Sequence, residues 1–215
     1  MNSSIAAIRT DYKKLALNEA DVAKDPIDQF RRWWDEAIKS EIEEVNAMTL
    51  ATASAAGIPS ARIVLLKDFD SNGFVFFTNY ESHKGKQLAA NPNACLVFFW
   101  KELERQVRIE GSVSKITAAE SDAYFQSRPA GSRIGAWASP QSETIASRAI
   151  IEERVAEVQT RYGSAEIPRP SHWGGYLVKP TAVEFWQGRS NRLHDRIYYN
   201  LDHAGKNWLI SRLAP

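Results

Sequence analysis

Two hydrophobic periods divide this chain. In a few stretches apolar residues return every three to four positions, the helical repeat; elsewhere they alternate, or form short unbroken runs between turn residues, as strands do. Pro26 opens the clearest helix, in which Phe30, Trp33, Trp34, Ala37 and Ile38 recur at helical spacing. A long amphipathic helix is expected to begin at Ser142, with Ile145, Ile150, Ile151, Val155 and Val158 as its apolar positions and Gly163 past its end. Caps mark two shorter ones. Ser82 can cap a helix that stops before Asn91-Pro92, and Thr117-Ala-Ala-Glu120 has the form of a capping box for a helix through about Gln126.

Strand patterns cover Met48 to Ala53, Ala61 to Lys67, Gly73 to Asn79, Ala94 to Trp100 and Gln106 to Ser114. Others follow at Gly174 to Val178, Ala182 to Gln187 and Arg192 to Tyr199, with Asn207 to Leu213 pairing back. The Asn-Gly pair in Asp70-Ser-Asn-Gly73 signals a hairpin between the second and third of these. About seven or eight antiparallel strands result, decorated by helices. There is no βαβ alternation and no Gly-x-Gly-x-x-Gly, which disfavours a Rossmann domain. The expected fold is mainly β with α decoration (α+β), a closed or split antiparallel barrel. Residues 1–25, polar and weakly patterned, read as a mobile arm before one domain spanning 26–215.

Composition narrows the function classes. At 215 residues one substantial core can form without disulfides. A net charge of +1 argues against nucleic acid as a main partner, leaving single-stranded nucleic acid on a small barrel as the nearest binding-module alternative. The one cysteine, Cys95, lies in an apolar run and reads as a buried inert thiol; with four scattered histidines it makes no metal site. The N-terminus lacks the apolar core of a signal peptide and no stretch has transmembrane length, so the cytoplasm is the expected compartment.

Candidate chemistry concentrates near the C-terminus. If Arg192 to Arg196 is a regular strand, Arg192, His194 and Arg196 emerge on one face and Leu193 and Asp195 on the other. Three such groups repel one another unless an anion faces them, and phosphate suits the guanidinium fork. The plainer alternative is a solvated face with Asp195 and Glu184 as ion-pair partners. Arg62 and Lys67 bracket an apolar strand, five apart and therefore on opposite sides if it is regular. His83 and Lys84 sit at a helix N-terminus, where the macrodipole favours phosphate. Tyr124 and Arg128 are four apart on a helix, with Ser132 just beyond Pro129: a possible phosphate clamp or an ordinary exposed helix end.

The run Val183-Glu-Phe-Trp-Gln-x4-Arg-Leu-His-Asp-Arg196 resembles the signature of the pyridoxine/pyridoxamine 5′-phosphate oxidases. Collinear companions resemble the same family: Arg62-Ile-Val-Leu-Leu-Lys67, Phe76-Phe-Thr-Asn79, Leu103-Glu-Arg-Gln-Val107, Ser127-Arg-Pro129, Ile134-Gly-Ala-Trp137, Gln141-Ser142, Trp173-Gly-Gly175 and Arg212-Leu-Ala-Pro215. The resemblance implies an FMN-binding split barrel, a homodimer with FMN at the subunit interface, and oxidation of pyridoxamine or pyridoxine 5′-phosphate to pyridoxal 5′-phosphate. Hydride would pass to the flavin and dioxygen would become hydrogen peroxide.

It also implies residue roles. FMN would be held by Arg62, Ile63, Val64, Leu65, Leu66, Lys67, Phe77, Thr78, His83, Lys84, Gln106, Gln141, Ser142, Trp186 and Arg196. His83 stands where Arg is usual, and Phe77 where Tyr is often found. The substrate would meet Tyr124, Arg128 and Ser132 at its phosphate and Arg192 and His194 over its ring, with Lys67 reaching towards it and Arg9 and Tyr12 from the arm as a lid. Arg192 and His194 are the expected catalytic pair. The alternatives are a split-barrel flavin reductase acting on another substrate, which would not need the substrate residues, and a non-enzymatic carrier of pyridoxal 5′-phosphate, which would not need the flavin residues.

Overall fold

The computed structural model describes residues 11–215. In chain order its elements are α1 (Pro26–Lys39), β1 (Ala47–Ala53), β2 (Pro59–Leu65), β3 (Asp68–Asp70), β4 (Gly73–Asn79), α2 (His83–Ala90) and β5 (Asn93–Trp100). Then come β6 (Arg105–Lys115), α3 (Ala118–Ser127), α4 (Ala130–Ala138), α5 (Ala149–Tyr162), β7 (Trp173–Gln187), β8 (Asp195–Leu201) and β9 (Trp208–Arg212). The strands bond in the order β2-β1-β5-β6-β7-β4-β3, with β8 on β7 and β9 on β8. The β3–β4, β4–β7, β7–β8 and β8–β9 pairs are antiparallel. The two ends of this path, β2 and β3, adjoin in sequence, and there the Lys67 amide donates to the Val75 carbonyl at 2.9 Å.

The chain forms two compact units. One holds the described residues up to Leu50 with Cys95–Gly111 and Pro180–Pro215; the other holds Ala51–Ala94 and Ser112–Lys179. Each passage between them falls inside a strand: β1, β5, β6 or β7.

In the first unit α1 supplies the wedge. Asp25 caps it, accepting from the Ile27 amide at 2.7 Å, and Pro26 starts it where no N–H is needed. Its buried face sets Phe30 against Phe98 at 5.2 Å and Trp33 edge-on to Phe185 at 5.2 Å. Ile38, expected on that face, is exposed instead. Residues 11–25 carry no regular structure but are tied down: the Lys13 and Lys14 amides donate to Glu104, and the Tyr199 hydroxyl donates to the Ala23 carbonyl at 2.7 Å. Cys95 is half-buried, and burial first, then Glu110, pushes its thiol up to about 11. Native Cys95 is therefore expected to react about tenfold more slowly at neutral pH than the unfolded chain, as thiol titration would measure.

In the second unit Phe125, Ile167 and Trp173 form a core against which Phe77, Tyr124 and Ile134 pack. The capping box holds as expected: Thr117 and Glu120 exchange hydrogen bonds at the start of α3.

Four expectations fail. Gly174 to Gln187 is one strand, not two. Pro180, which has no N–H, falls between the β4 ladder ending at Val178 and the β8 ladder beginning at Ala182, so neither loses a bond there. The long helix starts at Ala149 rather than Ser142, because Ser142 sits at φ 75° in a turn bonded from the Glu143 amide to the Pro140 carbonyl. The Asn-Gly hairpin joins β4 to the short β3, with Asp70 opposite Gly73, while β2 pairs with β1. Arg192 to His194 is not strand: β8 begins at Asp195, after a tight turn at Ser190–Arg192. The helix α4 had no periodic signal strong enough to announce it.

Candidate active site

A cleft of about 640 Å³ opens in the second unit. From β2 it takes Arg62, Ile63, Val64 and Leu65, with Lys67 two residues past the strand end. β4 supplies Phe77 and Thr78, and α2 supplies Lys84. Tyr124, Arg128 and Ser132 arrive from α3 and the start of α4, with Gln141 and Trp173 completing the wall. Lys67 reaches the same cleft as Arg62 because β2 stops at Leu65 and Leu66 turns into the core, breaking the alternation that would have opposed them.

Four of these groups are cations, and none of the lining residues is Asp or Glu. Arg62 donates to Thr52 Oγ1 at 2.6 Å and Ser60 Oγ at 2.7 Å. Lys84 is buried and donates to Thr78 Oγ1 at 3.3 Å; burial, then the charge of Arg62, lowers its pKa. Its helix is fixed by Ser82, whose Oγ accepts from the Gly85 amide and donates to the Asn79 carbonyl. Arg128 lies over the Trp173 ring at 4.5 Å, and burial lowers its pKa as well. Its Nη1 is buried without a hydrogen-bond partner among the described residues. Tyr124 stacks on Phe77 at 3.8 Å beside it. Cations that include partly buried Arg62, Lys84 and Arg128, in a lining with no Asp or Glu and with one buried donor lacking a partner among the described residues, suit an anion. Phosphate monoesters fit the cleft, and Phe77, Tyr124 and Trp173 offer flat surfaces for rings.

The first unit carries a second cluster. Trp186 and His194 approach to 4.5 Å, and Tyr12 packs edge-on against both. The Arg189 amide donates to His194 Nδ1 at 3.1 Å, so the neutral ring carries its proton on Nε2. Burial, then the Arg192 charge, lowers the His194 pKa, while Asp195 opposes. Asn191 and Arg192 adopt φ of 58° and 63°, which leaves Arg192 exposed on the turn. Gly188 permits the Tyr12 contact: a Cβ there would lie 2.7 Å from the Tyr12 ring.

Arg196 forks onto buried Glu184 at 2.7 and 3.1 Å, with Arg108 on the same carboxylate at 2.8 Å. The expected single face of Arg192, His194 and Arg196 is therefore corrected, since the turn precedes the strand. Leu193, expected on the opposite face of a strand, precedes β8 and is 66% exposed. Outside both clusters stand Leu66, which is buried, and His83, Gln106 and Ser142; His83 is exposed at the first position of α2. Arg9 lies outside the described residues. Asp195, which anchors the turn, was noticed in the sequence only as an ion-pair partner, because nothing in its spacing distinguishes an anchor from a solvated acid.

A cation-lined cleft with aromatic walls suits a phosphorylated ring compound. Comparison sharpens this. Residues 34–162 match the pyridoxamine 5′-phosphate oxidase family, and residues 173–215 match the pyridoxine 5′-phosphate oxidase C-terminal dimerisation region. The chain is similar to the pyridoxine/pyridoxamine 5′-phosphate oxidase of Ralstonia pickettii, 61% identical across 99% of this chain and 100% of the relative. It is equally similar, at 61% across 98% and 99%, to that of Thermosynechococcus vestitus. Among solved structures, PhzG of Burkholderia lata, in complex with tetrahydrophenazine-1-carboxylic acid, superimposes with a TM-score of 0.88 at 29% identity, covering 96% of this chain and 100% of that one. A pyridoxamine 5′-phosphate oxidase-related FMN-binding protein of Nostoc punctiforme shares the fold, with a TM-score of 0.68 at 18% identity over 86% and 97%.

The chain belongs to the pyridoxine/pyridoxamine 5′-phosphate oxidase family. It is an oxidoreductase with FMN as its cofactor. The residues present fit that group, because the cleft joins phosphate-compatible cations to aromatic and apolar walls.

Proposed function

We propose that this enzyme oxidises pyridoxamine 5′-phosphate or pyridoxine 5′-phosphate to pyridoxal 5′-phosphate, with dioxygen reduced to hydrogen peroxide. The observation that carries the reading is a cleft lined by Arg62, Lys67, Lys84 and Arg128 with no Asp or Glu among its lining residues, in which Arg128 keeps a buried donor without a partner among the described residues. Two phosphorylated ring compounds need such charge, each phosphate carrying about −1.5 to −2 at neutral pH.

Arg62 and Lys84 would hold the FMN phosphate, and Ile63 to Leu65, Phe77, Thr78 and Gln141 would border its ring. FMN held there would supply the two-electron chemistry by which the substrate is oxidised and dioxygen reduced. The chain's own part is to bind and orient. Tyr124, Arg128 and Ser132 clamp the substrate phosphate, with Lys67 beside them. Arg192 offers a fixed cation and His194 an Nε2–H donor to the substrate ring, while Tyr12 covers them as part of the arm. The reading includes a homodimer with FMN at the subunit interface, supported by the match to a dimerisation region and by Ile63, 66% exposed on the cleft-bearing strand. The cytoplasm is the compartment we infer.

A reductase for another substrate would leave Tyr124, Arg128 and Ser132 without a use, and a carrier would leave Arg62 and Lys84 without one. Anaerobic addition of pyridoxine 5′-phosphate to the FMN-loaded protein is expected to bleach the flavin spectrum, and air to restore it with one peroxide per product. An unbleached flavin would end this reading. A smaller effect is expected at α2: His83→Arg should tighten FMN about tenfold in titration of the apoprotein, since it places a permanent charge at the helix N-terminus. Unchanged affinity would mean Arg62 and Lys84 already saturate the phosphate.

A further inference from the structure

The loop between β7 and β8 is closed twice by one residue. The backbone amide of Arg189 holds His194 Nδ1 at 3.1 Å, and its guanidinium reaches Asp195 Oδ2 at 3.2 Å. Between these ties Asn191 and Arg192 occupy the left-handed region, which residues other than glycine keep only where their surroundings enforce it.

Asp195 lies just past these two residues and accepts the Arg189 tie. Its carboxylate also accepts from the Leu17 amide at 3.1 Å and from Arg212 Nη1 at 2.7 Å. Arg212 is itself forked onto Glu19, at 2.8 Å through both Nε and Nη2, and donates to the Leu17 carbonyl at 3.0 Å. One carboxylate with a side chain 17% exposed thus joins three segments: the arm, the loop and β9. Asp195 has no direct hydrogen bond to His194; it acts through Arg189.

We propose that Asp195 is a positioning residue. By clamping Arg189, it keeps that residue's amide on His194 Nδ1 and so fixes the Nε2–H tautomer and the direction in which the ring presents its proton. This rests on the reading that His194 meets the substrate, and the test separates the two. Imidazole nitrogens of the ¹⁵N-labelled, FMN-loaded protein report the tautomer directly. The wild type is expected to show an unprotonated Nδ1 and a protonated Nε2.

Asp195→Asn is expected to give a mixture of tautomers, with kcat/KM about tenfold lower and FMN affinity unchanged, because a misaimed group loses effective concentration. Should that variant fold poorly, Arg189→Lys keeps the backbone amide, replaces the guanidinium that reaches Asp195 from a partly exposed site, and is expected to shift the tautomer in the same direction to a smaller extent. A single wild-type tautomer in a folded variant of both kinds overturns the positioning role, whatever the activity does. A mixed tautomer with wild-type kcat/KM upholds the clamp and instead refutes the substrate role given to His194.

Discussion

Replacing Arg128 by alanine is expected to raise KM for pyridoxine 5′-phosphate about 100-fold while leaving FMN affinity within about twofold. A hydrogen bond to a charged group contributes roughly 1.5–3 kcal/mol, and about 1.4 kcal/mol corresponds to a factor of ten. The upper end applies here because Nη1 is buried with no partner among the described residues, so contact with phosphate replaces no bond seen there. Its neighbours sharpen the effect. Trp173 lies under the guanidinium at 4.5 Å and Tyr124 stands by on Phe77, so alanine uncovers an aromatic face as well. Arg128→Lys keeps the charge but loses the planar fork, and an intermediate KM is expected. Steady-state kinetics beside FMN titration of the apoprotein decide the matter. A variant that loses FMN and keeps its KM would reverse the division of the cleft between cofactor and substrate.

Gly85→Ala is the second large effect, and its sign opposes helix propensity. In an exposed helix alanine would gain about 1 kcal/mol over glycine. Here a Cβ would fall on the Tyr80 carbonyl oxygen and lie 2.8 Å from the Tyr80 Cα, all backbone that cannot swing aside. α2 must lift away, and a net destabilisation of about 3 kcal/mol is expected from this overpacking. Lys84 adjoins Gly85, so the same shift withdraws a cation from the cleft and FMN affinity should fall with Tm. Denaturant unfolding and flavin titration measure the two. Unchanged stability would show that α2 does not seat on Tyr80 as described.

The elements with strong local signals were legible in the sequence. Pro26 with its Trp-rich stripe, the Thr117 capping box and the Ser82 cap all stand where their chemistry places them. Signals that depend on tertiary partners misled. Alternation at Arg192 to Arg196 imitates a strand, but the ties from Arg189 and Arg212 to Asp195 favour a turn instead. The gap expected between Gly174–Val178 and Ala182–Gln187 closes because Pro180 falls where the β4 ladder has ended and the β8 ladder has not begun. In the cleft, the resemblance to a known family identified Arg62, Lys84, Tyr124, Arg128 and Ser132 together, which spacing alone left open. Spacing also could not show that Lys67 shares a cleft with Arg62, since that follows from the end of β2 at Leu65.

The four strands that carry the chain from one unit to the other have a consequence for how this protein is made and destroyed. No crossing runs through a linker, so a protease finds no exposed hinge there at which to release either half intact. Synthesis meets the same constraint, since the first unit cannot be completed until Pro180–Pro215 has been made. Early strands must wait for partners far away in sequence, which places folding in the slow, millisecond-to-second regime of sheet proteins. A ribosome-stalled chain that ends before Pro180 should therefore remain protease-sensitive in the segments of the first unit.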